Sequence, residues 1–248
     1  MKTSPNFDPA AHIPGGYLPF DGAIEFYGRI QSILKPTYTV VNLGAGRGAW
    51  FFEDKCEARR QLQDIKRVAL RVIGLDIDPA VLTNPTTTEN HVIKDNRFPL
   101  PDACADVIIA DYVLEHVEDV PAFQAEIDRV LRYGGYFIAR TPHKFQYESI
   151  AARLIKNRHH THFLAKAQPN RKVEDVFPTA YRLNTCRAVQ KAFPAYKNST
   201  YLYSNEPTYF FGRRLIFKLL SVLQRILPRI FISNIFVFVQ KPASPSWQ

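Results

Sequence analysis

Apolar and polar positions along the first part of the chain switch repeatedly between a helical and a strand period. Residues 22–34 place Ile24, Tyr27, Ile30, Ile33 and Leu34 on one face of a helix. Residues 38–43 form a short β-branched and aliphatic run, as a buried strand would. A charged helix is predicted over 49–67, then a strand at Val72–Asp76. Asp78-Pro79 carries a capping residue followed by proline at the first helical position. His91–Lys94 and Asp106–Ala110 read as the third and fourth strands. Residues 119–132 predict a helix with Phe123, Ile127, Val130 and Leu131 inward, and Gly134-Gly135 read as its C-terminal stop. Tyr136–Ala139 is a fifth strand. Strands alternating with helices imply a parallel sheet covered on both faces.

Beyond residue 142 the period blurs. Ser199–Ser204 reads as a sixth strand, Tyr209–Leu227 as a helix and Asn234–Gln240 as a final strand. The expected architecture is therefore α/β, a doubly wound, mostly parallel, seven-stranded sheet with a C-terminal insertion. The expected divisions are an N-terminal segment (1–21), a ligand-binding core (22–142), an acceptor-site insertion with the final strands (143–242) and a tail (243–248).

The core holds a glycine turn. Val40-Val41-Asn42-Leu43 runs into Gly44-Ala45-Gly46-Arg47-Gly48. Glycine tolerates positive φ and lets backbone approach a ligand. At the carboxyl end of a parallel strand, such a turn is expected to aim free N–H groups and a helix N-terminus into a crevice. Gly44-x-Gly46-x-x-Ala49 also satisfies the dinucleotide fingerprint, so the turn alone does not separate a nicotinamide from another nucleotide-like ligand. The residues that follow do. The second strand ends in Asp76, suited to accept hydrogen bonds from ribose hydroxyls. The third leads to Asp95-Asn96 and then Phe98-Pro99-Leu100-Pro101. The fourth leads to Asp111-Tyr112-Val113-Leu114-Glu115-His116.

In these motifs, over about residues 22–142 and again in the last strand, the chain resembles class I S-adenosylmethionine-dependent methyltransferases, those of type 11/12 in particular. The resemblance implies S-adenosyl-L-methionine as cofactor. It assigns the methionine part to Gly44, Ala45, Gly46 and Gly48, the ribose to Asp76, and the adenine amino group to Asp95. Asn96 would lie beside the ring through its backbone, and Ile77 and Asp111 complete the cofactor-binding residues. The family usually has an acid where this chain has Asn42, which keeps a polar contact without the charge. Glu115-His116 resembles part of the Glu-x-x-Glu-His helix of quinone-biosynthesis O-methyltransferases. Tyr112 occupies the first glutamate position, so no metal site is assigned. His159, His160 and His162 lack acidic neighbours and likewise read as acceptor-binding residues or a solvated loop rather than a metal site.

Methyl transfer to a hydroxyl needs a proton acceptor near the nucleophile. His116, beyond the fourth strand, and His143, after the fifth, are the candidates. The expected reaction is O-methylation of a small-molecule, lipid-linked or surface-sugar acceptor. The alternatives are an RNA or protein methyltransferase and a cofactor-binding scaffold without chemistry.

Charge bears on the acceptor. Residues 1–152 carry 16 Lys/Arg against 20 Asp/Glu, and residues 153–248 carry 16 against 3. Within 213–229, Arg213, Arg214, Lys218, Arg225 and Arg229 fall in an arc of about 160° at ~100° per residue, and apolar residues fill most of the rest. Such a helix suits an anionic membrane surface, a packed core or a lid over the acceptor. Nucleic acid is disfavoured, since Asp111-Tyr112-Val113-Leu114 replaces an amino-methylation motif. Three isolated cysteines fit a reducing compartment. With no basic-then-apolar leader and no apolar run of about 18 residues, the expected location is the cytoplasm, peripheral at the inner face of the membrane.

Overall fold

The computed structural model describes residues 7–147, 149–150, 178–207 and 210–243. His159, His160 and His162 lie outside them. One sheet organises the chain, in the order β3-β2-β1-β4-β5-β8-β6, with β7 also on β8. Its strands are β1 (Thr39–Leu43), β2 (Arg71–Asp76), β3 (Glu89–Val92), β4 (Ala105–Asp111), β5 (Leu131–Pro142), β6 (Lys197–Asn198), β7 (Tyr201–Tyr203) and β8 (Asn234–Gln240). The first five are parallel, and β8 is antiparallel to β5. Both β6 and β7 pair with β8, at opposite ends of it. They act as one edge strand interrupted at Ser199-Thr200, so eight segments fill the seven expected places. Residues expected to form an insertion thus complete the same sheet.

Helices cover both faces. On one, α1 (Gly22–Ile33) and α3 (Glu57–Gln63) meet Val40, Val72, Val107, Ile109, Ile138 and Phe236 through Phe26, Tyr27, Ile30 and Leu62. On the other, α4 (Val120–Val130) and α5 (Cys186–Ala192) cover Val41, Ile73, Ile108, Phe137 and Val237. The alternation of these strand residues between two cores is the period-2 rule applied to a sheet buried on both sides. A short α2 (Ala49–Glu53) follows the glycine turn, and α6 (Arg214–Ile226) lies between β7 and β8.

Five expectations shift. The helix expected over 49–67 is broken into α2, α3 and a 3-10 turn at Ile65–Arg67. Asp54 is the cause: its carboxylate accepts from the Cys56 amide at 2.8 Å and from two Arg59 nitrogens, and such local side-chain bonds compete with a helix. The helix expected to 132 ends at Val130, because Leu131 already opens β5. Gly134, at φ 77°, is not a helix stop. It lies in the irregular start of β5, where its N–H donates to Lys241 and Pro242 carbonyls. The third strand begins at Glu89 rather than His91, and the helix expected from Tyr209 begins at Arg214.

Phe236 binds the last strands to the first helix. Its ring meets Phe26 at 5.4 Å, Tyr201 at 5.7 Å and Tyr203 at 4.7 Å between centroids. Phe236→Ala should lower stability by about 3–5 kcal/mol. Urea titration should show an earlier midpoint at unchanged slope, and a loss under ~1 kcal/mol would contradict this packing role.

Candidate functional site

The glycine turn connects β1 to α2 at the carboxyl edge of the sheet, beside the end of β2. Gly44, Gly46 and Gly48 have φ of 72°, 49° and 69°. At the outer two, crowding excludes a side chain independently of the dihedral. A Cβ on Gly44 would stand 2.4 Å from Val113 Cγ2, and one on Gly48 would stand 2.5 Å from Asn84 Oδ1. Gly46 differs: the nearest atom to a Cβ there is Asp76 Oδ2 at 4.0 Å, so the middle of the turn faces open space.

The turn's amides do not form an open cradle, contrary to expectation. Gly44 and Ala45 both donate to the Leu75 carbonyl, at 2.7 and 3.1 Å. Gly46 donates to Asp76 Oδ2 at 2.8 Å, and Gly48 to the Ala45 carbonyl at 3.4 Å. These bonds dock the turn on the end of β2. The glycines therefore provide shape and clearance more than free donors.

Asp76 also holds the next turn, its Oδ1 accepting from the Asp78 amide at 2.9 Å. Each carboxylate oxygen takes one protein hydrogen bond and keeps lone-pair capacity for ribose hydroxyls. Ile77, beside it, is 59% exposed and offers an apolar surface to a base. Asn42 lies in β1 between Gly74 of β2 and Ile109 of β4. Asp95 and Asn96, at φ 51° and 55°, are the exposed centre of a tight turn closed by the Arg97 amide on the Lys94 carbonyl at 3.0 Å. That turn favours Asn and Asp on backbone grounds alone.

Asp111 is committed elsewhere. Arg140 grips it with Nε on Oδ1 at 2.8 Å and Nη2 on Oδ2 at 2.7 Å, and the Tyr27 hydroxyl donates to Oδ2 at 3.0 Å. The Arg140 guanidinium lies 5.1 Å from the Phe26 ring centroid and 4.8 Å from that of Tyr112. Burial works against its charge, yet Asp111 keeps its pKa above the ordinary arginine value. Burial first, and then the Asp111 charge, hold the Tyr27 hydroxyl protonated well beyond the usual tyrosine range. Asp111 thus ties α1, β4 and β5 together at the carboxyl end of β4.

The two histidines separate. His143 is buried, with Nδ1 accepting from the Phe145 amide at 3.3 Å and a further hydrogen bond to the Ile230 backbone. Burial lowers its pKa. His116 ends a 3-10 turn at Leu114–His116 and donates from Nδ1 to the Pro178 carbonyl at 2.6 Å. In the neutral ring this bond puts the lone pair on Nε2. Glu115 is buried, and its Oε2 accepts from the Thr141 hydroxyl at 2.8 Å.

Three residues escaped the sequence reading. Asn84, buried beneath the turn, donates to the carbonyls of Ala45 and Gly46 at 2.8 and 3.0 Å. Its only sequence signal is its place one turn after the Asp78 cap. Arg140 is a charge directly after the apolar run Phe137–Ala139, within the same strand, which in itself signals a buried partner. Glu206, past the end of β7, has one buried carboxylate oxygen with no partner, and burial pushes its pKa up to about 7.

Comparison with known proteins places the fold and matches part of the chain to a family. Residues 56–139 match a sequence family described as "Methyltransferase domain". A probable S-adenosylmethionine-dependent methyltransferase of Mycolicibacterium smegmatis is 40% identical over 87 residues, 34% of each chain. A malonyl-[acyl-carrier protein] O-methyltransferase of Serratia marcescens is 30% identical over 103 residues, 40% of this chain and 37% of that one. The matched stretch spans about a third of the length of these curated relatives. Among solved structures, a geranyl diphosphate methyltransferase in complex with S-adenosylmethionine superimposes with a TM-score of 0.53 at 13% identity, covering 88% of this chain and 84% of that one. Residues 56–139 thus match a methyltransferase domain, and the solved structure shares the fold of the whole described sheet. The clearance at Gly46, the Asp76 carboxylate and the exposed Ile77 fit S-adenosylmethionine, the ligand in the solved structure of that fold.

Two outcomes follow from this geometry. Asn84→Ala leaves two loop carbonyls without their donor, at a cost of about 1–3 kcal/mol. Thermal unfolding of the variant should show that loss together with weaker S-adenosylhomocysteine binding, and unaltered binding would contradict the loop-staple role. His143 has a folded pKa below its unfolded value, so its contribution to stability is present above about pH 6.5 and is lost as pH falls through the folded pKa. Denaturation midpoints should decline below that pH in the wild type and decline less in His143→Gln. Equal declines would contradict a buried neutral imidazole.

Proposed function

We propose that the chain transfers the methyl group of S-adenosylmethionine to an oxygen of a small-molecule, lipid-linked or surface-sugar acceptor. The observation that carries the reading is the glycine turn docked on Asp76 at the carboxyl edge of the sheet, with open space at Gly46. When bound, the cofactor supplies a methyl group on a positively charged sulfur, already activated toward displacement. The chain's own contribution is positional. Gly44–Gly48 shape the seat for the amino-acid end, Asp76 accepts from the ribose hydroxyls, and Asp95 with Asn96 and Ile77 flanks the base. Asn42 adds a polar group at the end of β1.

For a hydroxyl acceptor, His116 is the proton acceptor of this reading, its tautomer set by the Pro178 carbonyl. The Serratia marcescens relative is named for O-methylation, which supports oxygen over nitrogen or carbon. We place the enzyme in the cytoplasm, peripheral at the inner face of the membrane. No described helix is long and apolar enough to cross a membrane. The alternative readings, an RNA or protein methyltransferase and a cofactor-binding scaffold without chemistry, are separated by the acceptor that takes up label.

Transfer of labelled methyl from S-adenosylmethionine into a cell extract, fractionated into lipid, sugar, RNA and protein, tests the proposal. Label should enter the lipid or sugar fraction, and His116→Ala should slow entry by about 10²–10⁴-fold. Label confined to RNA or protein, or absent from every fraction, would contradict the proposed acceptor.

A further inference from the structure

Helix α6 has no buried residue. At ~100° per residue its side chains divide into three arcs. Ile216, Phe217, Leu220, Ser221 and Gln224 are half-buried and occupy an arc of about 140° toward the body of the protein. Phe217 anchors this side, with ring centroids 5.8 Å from Phe7 and 5.3 Å from Phe210. Leu215, Leu219, Val222, Leu223 and Ile226 are exposed in an arc of about 100° on the other side. Leu215 and Ile226 are 80% and 74% exposed. Arg214, Lys218 and Arg225 are exposed within about 40° of one another, along one flank of that apolar stripe. Residues 213–229 contain no acid.

The two-faced helix expected from sequence is therefore three-faced. Its apolar stripe does not pack on the sheet. A contiguous exposed stripe of large aliphatic side chains marks an interaction site. The unopposed basic row beside it selects the partner by charge: an anionic lipid surface takes aliphatic side chains below the headgroups and Arg/Lys at them.

The position of α6 gives the contact an orientation. β7 ends at Tyr203 and β8 begins at Asn234, and these two residues pair with each other. Asn234 in turn pairs with Pro142 at the carboxyl end of β5. The connection carrying α6 thus leaves and rejoins the sheet at the edge that holds the glycine turn and Asp76. We propose that α6 lies in the plane of an anionic membrane leaflet and turns the cofactor edge of the sheet toward it. This rests on the methyltransferase reading for its purpose, but not for the binding itself. An acceptor held in the leaflet would then reach the cofactor edge without crossing bulk water.

Co-sedimentation of the full chain with phosphatidylcholine vesicles, with and without phosphatidylglycerol, is the test. The full chain should bind only the anionic vesicles, and less as salt rises. Arg214→Gln/Lys218→Gln/Arg225→Gln should lower partitioning on the order of a hundredfold. Leu219→Glu/Ile226→Glu should abolish it. Thermal stabilisation by S-adenosylhomocysteine should persist in both variants, which shows that they fold. Absence of vesicle binding with that stabilisation intact would overturn this inference and leave the methyltransferase reading standing. So would sedimentation velocity showing a dimer that Leu219→Glu/Ile226→Glu dissociates, with no vesicle binding. Vesicle binding without S-adenosylhomocysteine stabilisation would support the inference and overturn the cofactor reading.

Discussion

The Asp76 carboxylate, accepting from the Gly46 amide at 2.8 Å, is the constraint on which the site depends. It fixes the glycine turn to the end of β2, and the Leu75 carbonyl reinforces it through Gly44 and Ala45. Asn84 closes the other side of the turn. The loop is thus a stapled element rather than a mobile one, and its unfilled volume lies where a ligand would enter. Because Asp76 accepts one protein hydrogen bond on each oxygen, the same carboxylate can hold the loop and still face ribose hydroxyls.

A second polar assembly supports the edge from below. Arg140, Asp111 and Tyr27 join β5, β4 and α1, with Phe26 and Tyr112 against the guanidinium. A buried charge of this kind is strongly destabilising if one partner is removed. The assembly holds the ends of β4 and β5 in fixed relation, which is where an acceptor must be positioned relative to the cofactor.

Much of this was legible in sequence, for physical reasons. Strand runs such as Val72–Asp76 and Asn234–Gln240 are buried on both faces, so their apolar continuity survives in any context. The glycines read correctly as a turn because three positive φ values permit little else. What escaped depends on long-range pairing. Nothing near Asp111 announces Arg140, 29 positions later, and nothing near His143 announces the Ile230 carbonyl. Asp54 broke a helix through its own side chain, and Leu131 left one because a neighbouring strand captured it. The exposure of α6 was also beyond the sequence, since an amphipathic pattern is the same whether its apolar face is packed or bare.

The central claim is that this edge binds S-adenosylmethionine through the turn and Asp76. Isothermal titration of the full chain with S-adenosylmethionine and, separately, with NADH tests it most directly. The account predicts one-to-one binding of the sulfonium cofactor, lost in Asp76→Ala, and no binding of NADH. Binding of NADH with no heat from S-adenosylmethionine would contradict it.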